Sequence, residues 1–176
     1  MPPTSHQHPT RRTGIAMLMI SFALGLGVLT LFFDGILQTR ENPNASPTSE
    51  HAPDGSVRVV LARNAQGHYV VSGTIDGTAA QFLLDTGATE VVVPEALARR
   101  AGLSSLYPSR ALTANGEVLV YATSIRSLRI GDIVLTDVDA SINPAMQGDT
   151  VLLGMSALRQ IEFTQRGDTL TLHSLP

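Results

Sequence analysis

From Val57 onward the chain sets short apolar or alternating runs between turn formers. Val57–Leu61 and His68–Val71 read as strands, with successive side chains pointing to opposite faces. Thr74–Ile75 and Ala80–Leu84 flank Asp76-Gly77, a dipeptide that favours a two-residue hairpin turn. Val91–Val93 is a continuous apolar run, the pattern of a buried strand, and Pro94 stops it. Residues 94–101 predict a short helix with proline in its first turn and Gly102 beyond its end. Ala111–Ala114 and Glu117–Val120 are joined by Asn115-Gly116, a strong type I′ turn signal. Strands follow over Ser127–Ile130, Ile133–Ile142 and Val151–Gly154, then a short helix over Ser156–Gln160. Ile161–Phe163 and Thr169–Leu172 close the pattern. Many short strands divided by turns predict an all-β closed or sandwich-like domain over 57–176, and about 120 residues enclose one small core.

The N-terminus follows a different pattern. Gly14–Phe33 is uncharged and apolar over about 20 residues, the length of a bilayer-spanning helix. Arg11 and Arg12 precede it and Asp34 follows. The positive-inside rule then places residues 1–13 in the cytoplasm as a tail and the rest across the membrane. The expectation is an uncleaved anchor over 14–33. A cleaved signal peptide is the alternative, but its apolar core runs to roughly 7–15 residues and no small-x-small site follows Phe33. Residues 34–56 read as a flexible linker, because Asn42-Pro43-Asn44, Ser46-Pro47-Thr48 and Pro53-Asp54-Gly55 fill them with turn formers.

Composition narrows the chemistry. The formal charge is −3, the pI is near 5.9 and the basic residues are scattered, which argues against a nucleic-acid-binding surface. Cysteine is absent, excluding a disulfide framework, a thiolate metal site and a cysteine nucleophile. His51, His68 and His173 are isolated, and His6 and His8 lie before the apolar run, so no metal site is expected. Asp137 and Asp139 alternate along one predicted strand and read as a solvated face. Neither a Gly-x-Ser-x-Gly elbow nor a phosphate-binding loop occurs.

The candidate chemistry lies in Phe82-Leu83-Leu84-Asp85-Thr86-Gly87-Ala88-Thr89. An apolar strand runs into Asp-Thr-Gly and sets one carboxylate at its end, a position that costs free energy unless hydrogen bonds or function justify it. An aspartate there can also simply cap its own loop. Two further features follow in order: the Asn115-Gly116 hairpin and Leu152-Leu153-Gly154. With the Leu83–Ala88 loop they make the region from Val57 onward resemble the retropepsin-like aspartic proteases, in particular the bacterial, membrane-anchored, single-domain type.

The resemblance implies a retropepsin-like closed β-barrel, one lobe of the acid protease fold per chain, with short helices and one preceding transmembrane helix. It implies a catalytic Asp85 on a loop with Thr86, Gly87 and Ala88, where Thr86 would lock two loops together. Asn115 and Gly116 would form the tip of a flap. Leu152, Leu153 and Gly154 would pass beneath the active-site loop. No cofactor and no metal are implied. The chain holds one Asp-Thr-Gly, so the implied enzyme is a homodimeric endopeptidase whose two Asp85 carboxylates activate water against a peptide or protein substrate. Its implied place is the inner membrane, single-pass, with the protease domain periplasmic or otherwise extracytoplasmic. Thr89 stands where viral members often carry Asp, and Met155 where they carry Arg. The competing reading is a catalytically inactive, protease-like peptide-binding or dimerisation module.

Overall fold

The computed structural model describes residues 9–113 and 116–174. In chain order the elements are α1 (Pro9–Glu41), β1 (Ser49–His51), β2 (Val57–Ala62), β3 (Val70–Ile75), β4 (Thr78–Leu84), β5 (Val91–Pro94) and α2 (Glu95–Arg100). They continue as β6 (Pro108–Thr113), β7 (Gly116–Ile130), β8 (Ile133–Asn143), β9 (Thr150–Leu153), α3 (Met155–Leu158), β10 (Ile161–Arg166) and β11 (Thr169–Ser174). The chain divides into two compact units, one ending at Gln38 and the other beginning at Thr39.

The first unit is most of α1. Its stretch from Thr13 to Glu41 has a mean hydropathy of 2.4 in its most apolar window, so by length and composition the helix can cross a membrane. The large apolar side chains from Ile15 to Phe33 are all more than half exposed.

The second unit starts earlier than the residue pattern indicates. The stretch expected as a flexible linker over 34–56 instead continues α1 to Glu41 and then packs into the domain. Asn44 is 7% exposed. Its side-chain amide donates to the carbonyls of Ala62 (2.9 Å) and Val70 (2.7 Å), and its Oδ1 accepts the Ala62 N–H at 2.8 Å. Asn42 donates to Ser72 Oγ at 2.9 Å, and β1 pairs antiparallel with β2. Turn formers leave a segment without apolar periodicity, but two asparagines supply what docking requires: side chains that satisfy buried backbone groups.

Two sheets build the domain. One runs β1-β2-β11-β10, the other β3-β4-β9-β5-β8-β7-β6. β3 also pairs with β7 through Thr74↔Arg129 and Ile75↔Leu128, which closes the larger sheet into a barrel with β6 attached outside the closure. One apolar cluster fills the barrel and continues to the smaller sheet; Phe82, Ile75, Ile125, Leu128 and Leu153 meet Val59, Leu61 and Leu172 there, each essentially inaccessible. The β3–β4 hairpin turns at Asp76 (φ 46°) and Gly77 (φ 84°), the two positive angles a type I′ turn requires. Asp137 also has positive φ, 52°. It resets the alternation of β8, so that Leu135 and Val138 both point into the core while Thr136 and Asp137 are exposed.

Candidate active site

β9 lies between β4 and β5. It runs parallel to β4, with Leu83 opposite Leu152 and Leu84 opposite Leu153, and antiparallel to β5, with Val92 opposite Leu152. Since β4 and β5 are the two ends of the loop over residues 85–90, that loop must cross the end of β9. The crossing is hydrogen-bonded. Asp85 N–H donates to the Leu153 carbonyl at 3.1 Å, and Ala88 N–H donates back to the Asp85 carbonyl at 3.2 Å. Gly87 N–H donates to Asp85 Oδ1 at 2.9 Å, which orients the half-buried carboxylate.

The first turn of α3 holds the far side of the loop. Met155 N–H donates to the Ala88 carbonyl at 2.8 Å, and Ser156 N–H to the Thr89 carbonyl at 3.0 Å. Gly154 makes this approach possible. A Cβ there would lie 2.7 Å from the Ala88 carbonyl oxygen and would overlap the Glu90 carbonyl as well. The end of β9 and Gly154 are thus in direct contact with the backbone of the loop over residues 85–90. The three residues of Leu152-Leu153-Gly154 have separate surroundings: Leu152 lines the cleft described below, Leu153 is in the core, and Gly154 touches the loop backbone.

Residue patterns missed Ser156. It is 2% exposed, its Oγ accepts the Val91 N–H at 3.0 Å, and its hydroxyl donates to the Asp139 carbonyl at 2.6 Å. It thereby ties the exit of the loop to α3 and β8. The available signal was a hydroxyl residue two places after Gly154 at the start of an apolar helix, where helix termini favour polar partners.

Asp85, Gly87, Ala88 and Thr89 line one side of a cleft of about 710 Å³. Tyr107, Ser109, Arg110 and Leu112 of the chain through β6, with Val120 and Ala122 of β7, line the other. Strands β6 and β7 thus share the cleft with the carboxylate, and Arg110 pairs with Glu117 between the two strands at 3.2 Å. Gly116 begins β7 opposite Thr113. Asn115, expected at the flap tip, lies outside the described residues. Thr86 is exposed and lines a separate cavity of about 270 Å³ with Tyr69, Leu84, Leu158, Phe163, Gln165 and Leu170. Among the described residues no group of three or more His, Asp or Glu side chains is placed to hold a metal ion.

Comparison with known proteins agrees with this arrangement. The family of gag-polyprotein putative aspartyl proteases matches residues 71–160, from β3 through α3. An uncharacterised protein from the cobV 5′ region of Sinorhizobium sp is 31% identical over 123 residues, covering 68% of this chain and 53% of that protein. The uncharacterised protein RP867 of Rickettsia prowazekii is 28% identical over 116 residues, covering 59% and 46% respectively. The chain thus spans about half the length of these curated relatives. The crystal structure of a retropepsin-like aspartic protease from Rickettsia conorii superposes with a TM-score of 0.60 at 25% identity, covering 73% of this chain and 96% of that one. The chain belongs to the retropepsin-like aspartic protease family.

Proposed function

We propose that the protein is a membrane-anchored aspartic endopeptidase whose active site forms between two copies of the chain. The observation that carries this reading is the placement of Asp85: a half-buried carboxylate, oriented by Gly87 N–H, lining a cleft that strands β6 and β7 also line. Peptide hydrolysis by this chemistry needs two carboxylates, and the chain holds one Asp-Thr-Gly. The second is Asp85 of the partner copy, related by a two-fold axis.

Two carboxylates about 3 Å apart do not both ionise, so the pair shares one proton. The ionised member takes a proton from water, whose oxygen attacks the peptide carbonyl. The protonated member hydrogen-bonds the carbonyl oxygen as charge develops on it. Collapse of the tetrahedral species breaks the C–N bond, and a proton passes to the leaving amine. In this scheme Gly87 and Ala88 shape the loop, Thr86 meets the second loop, and Asn115 and Gly116 close over the substrate to exclude water. Leu152, Leu153 and Gly154 support the loop from below.

The length and apolarity of α1 support anchoring. Arg11 and Arg12 before its apolar stretch favour a cytoplasmic N-terminus with the protease domain across the membrane. The full chain in detergent micelles is to be offered a peptide library beside Asp85→Asn. Cleavage by the wild type alone is the expected result. Equal cleavage by both excludes Asp85 chemistry.

A further inference from the structure

A row of side chains crosses the cleft from strand to strand. β9, β5, β8, β7 and β6 are neighbours in that order. Val92 stands opposite Leu152 on one side and Ser141 on the other, and Ser141 stands opposite Ala122. Ala122 N–H donates to the carbonyl of Tyr107, just before β6, at 2.9 Å. All of these residues line the cleft that Asp85 lines. Small Ser141 and Ala122 between Val92 and Tyr107 leave a trough, and Val92 and Leu152 make its apolar end.

A carboxylate borders that apolar end. Val91 and Val93 are fully buried in the core, so strand alternation turns Glu90 and Val92 to the opposite face, toward the cleft. The charged residues lining the cleft are Asp85, Glu90 and Arg110. Asp85 is assigned to the chemistry, and Arg110 is held by Glu117 at 3.2 Å. Glu90 is exposed and makes no ion pair among the described residues.

These surroundings discriminate between substrate side chains. A two-residue step along a strand is about 6.5 Å, so the Glu90 carboxylate lies one long side chain away from the wall at Val92. An acidic side chain there meets a like charge. A long uncharged one takes water from the Glu90 carboxylate without replacing it. Lysine and arginine bury an aliphatic stem on apolar surface and keep the charged head at its edge, which matches an apolar wall ending at a carboxylate.

We infer that Glu90 makes the cleft select peptides carrying lysine or arginine close to the scissile bond, with the stem along Val92 and Leu152 and the cation at Glu90. This deepens the endopeptidase reading above and rests on it. A two-fold site presents Glu90 twice, so basic residues are favoured at matching positions on both sides of the cut.

The test offers the full chain, in an uncharged detergent, peptides that carry Lys, Arg, Met or Glu at one position at a time on either side of the cut. Met is a long, flexible side chain without the charge. Cleavage of the Lys and Arg peptides is expected to be about fivefold faster than that of the Met peptide at low salt. The ratio is expected to shrink as salt rises. Glu90→Gln is expected to remove the difference, and Glu90→Lys to favour the Glu peptide over the Lys peptide. A damaged fold lowers all rates together and leaves the ratio alone, so the ratio reports recognition. In a second arm, Asp85→Asn with and without Glu90→Gln is titrated with the same peptides and followed by fluorescence anisotropy. Tighter binding of the Lys peptide is expected only where Glu90 is retained. Cleavage that requires Asp85 but shows no basic preference, or a preference that survives Glu90→Gln, overturns the role of Glu90 and leaves the endopeptidase standing. Binding of basic peptides that requires Glu90, with no cleavage of any peptide, supports the recognition and overturns the endopeptidase. Absence of both cleavage and Glu90-dependent binding overturns both.

Discussion

Gly154 lies so close beneath Glu90 that a single methyl group on its Cα would overlap the Glu90 carbonyl. The neighbouring atoms are backbone atoms of the loop that carries Asp85, so they cannot swing aside as a side chain would. Gly154→Ala is therefore expected to displace the loop and to cost about 1–3 kcal/mol through overpacking. Thermal unfolding measures the loss. Cleavage is expected to fall further than the folded fraction does, since the substitution pushes on the carboxylate's own loop.

Ser156 acts on the same loop through hydrogen bonds. Ser156→Ala leaves the Val91 N–H unsatisfied in a buried site and removes the tie to the Asp139 carbonyl. A stability loss of about 1–3 kcal/mol is expected, measurable as a lower denaturation midpoint with an unchanged slope. Ser156→Thr keeps the hydroxyl and is expected to recover part of it.

Asn44 tests whether the segment before β2 belongs to the domain. Asn44→Ala removes three hydrogen bonds. At roughly 0.5–1.5 kcal/mol each, the expected loss is about 2–4 kcal/mol. A protein beginning at His51 loses Asn42, Asn44 and most of β1, and is expected to unfold at lower temperature than one beginning at Thr39.

A shared proton has a signature in pH. The proposed dyad works only when one carboxylate is ionised and the other protonated, so activity falls both when the pair gains a second proton and when it loses its last. The peptide-cleavage rate of the wild type is expected to be bell-shaped in pH. A rate that rises to a plateau through high pH would point to a single general base instead.

The barrel strands were legible because alternation and punctuation agreed. Asp76-Gly77 and Pro94 mark a turn and a strand end that the structure places within a residue of the expectation. The Asp85 loop and the Leu152-Leu153-Gly154 segment stood out through the family resemblance, and the structure adds a physical reason at Gly154, where a Cβ would meet the loop backbone. Asn44 was not, since its partners Ala62 and Val70 are 18 and 26 residues away and pairing at that range leaves no local pattern. The reset at Asp137 left only a trace: Thr136 and Asp137 are consecutive polar residues between Leu135 and Val138, and a polar pair alone does not show that the backbone turns to positive φ. The cleft wall of Tyr107 and Arg110 depends on the register of β6 against β7, which fixes it only once the hairpin is folded.

The most direct test of the central claim is a mixing experiment. Full-length wild type and Asp85→Asn are combined in equal amounts in detergent, allowed to exchange partners, and assayed with a cleavable peptide against wild type at the same concentration of total chain. If each active site takes one Asp85 from each of two copies, random pairing leaves about a quarter of the dimers with both carboxylates, and activity falls to about a quarter. Activity of about one half would show that each chain works with its own carboxylate alone, and would contradict the shared site.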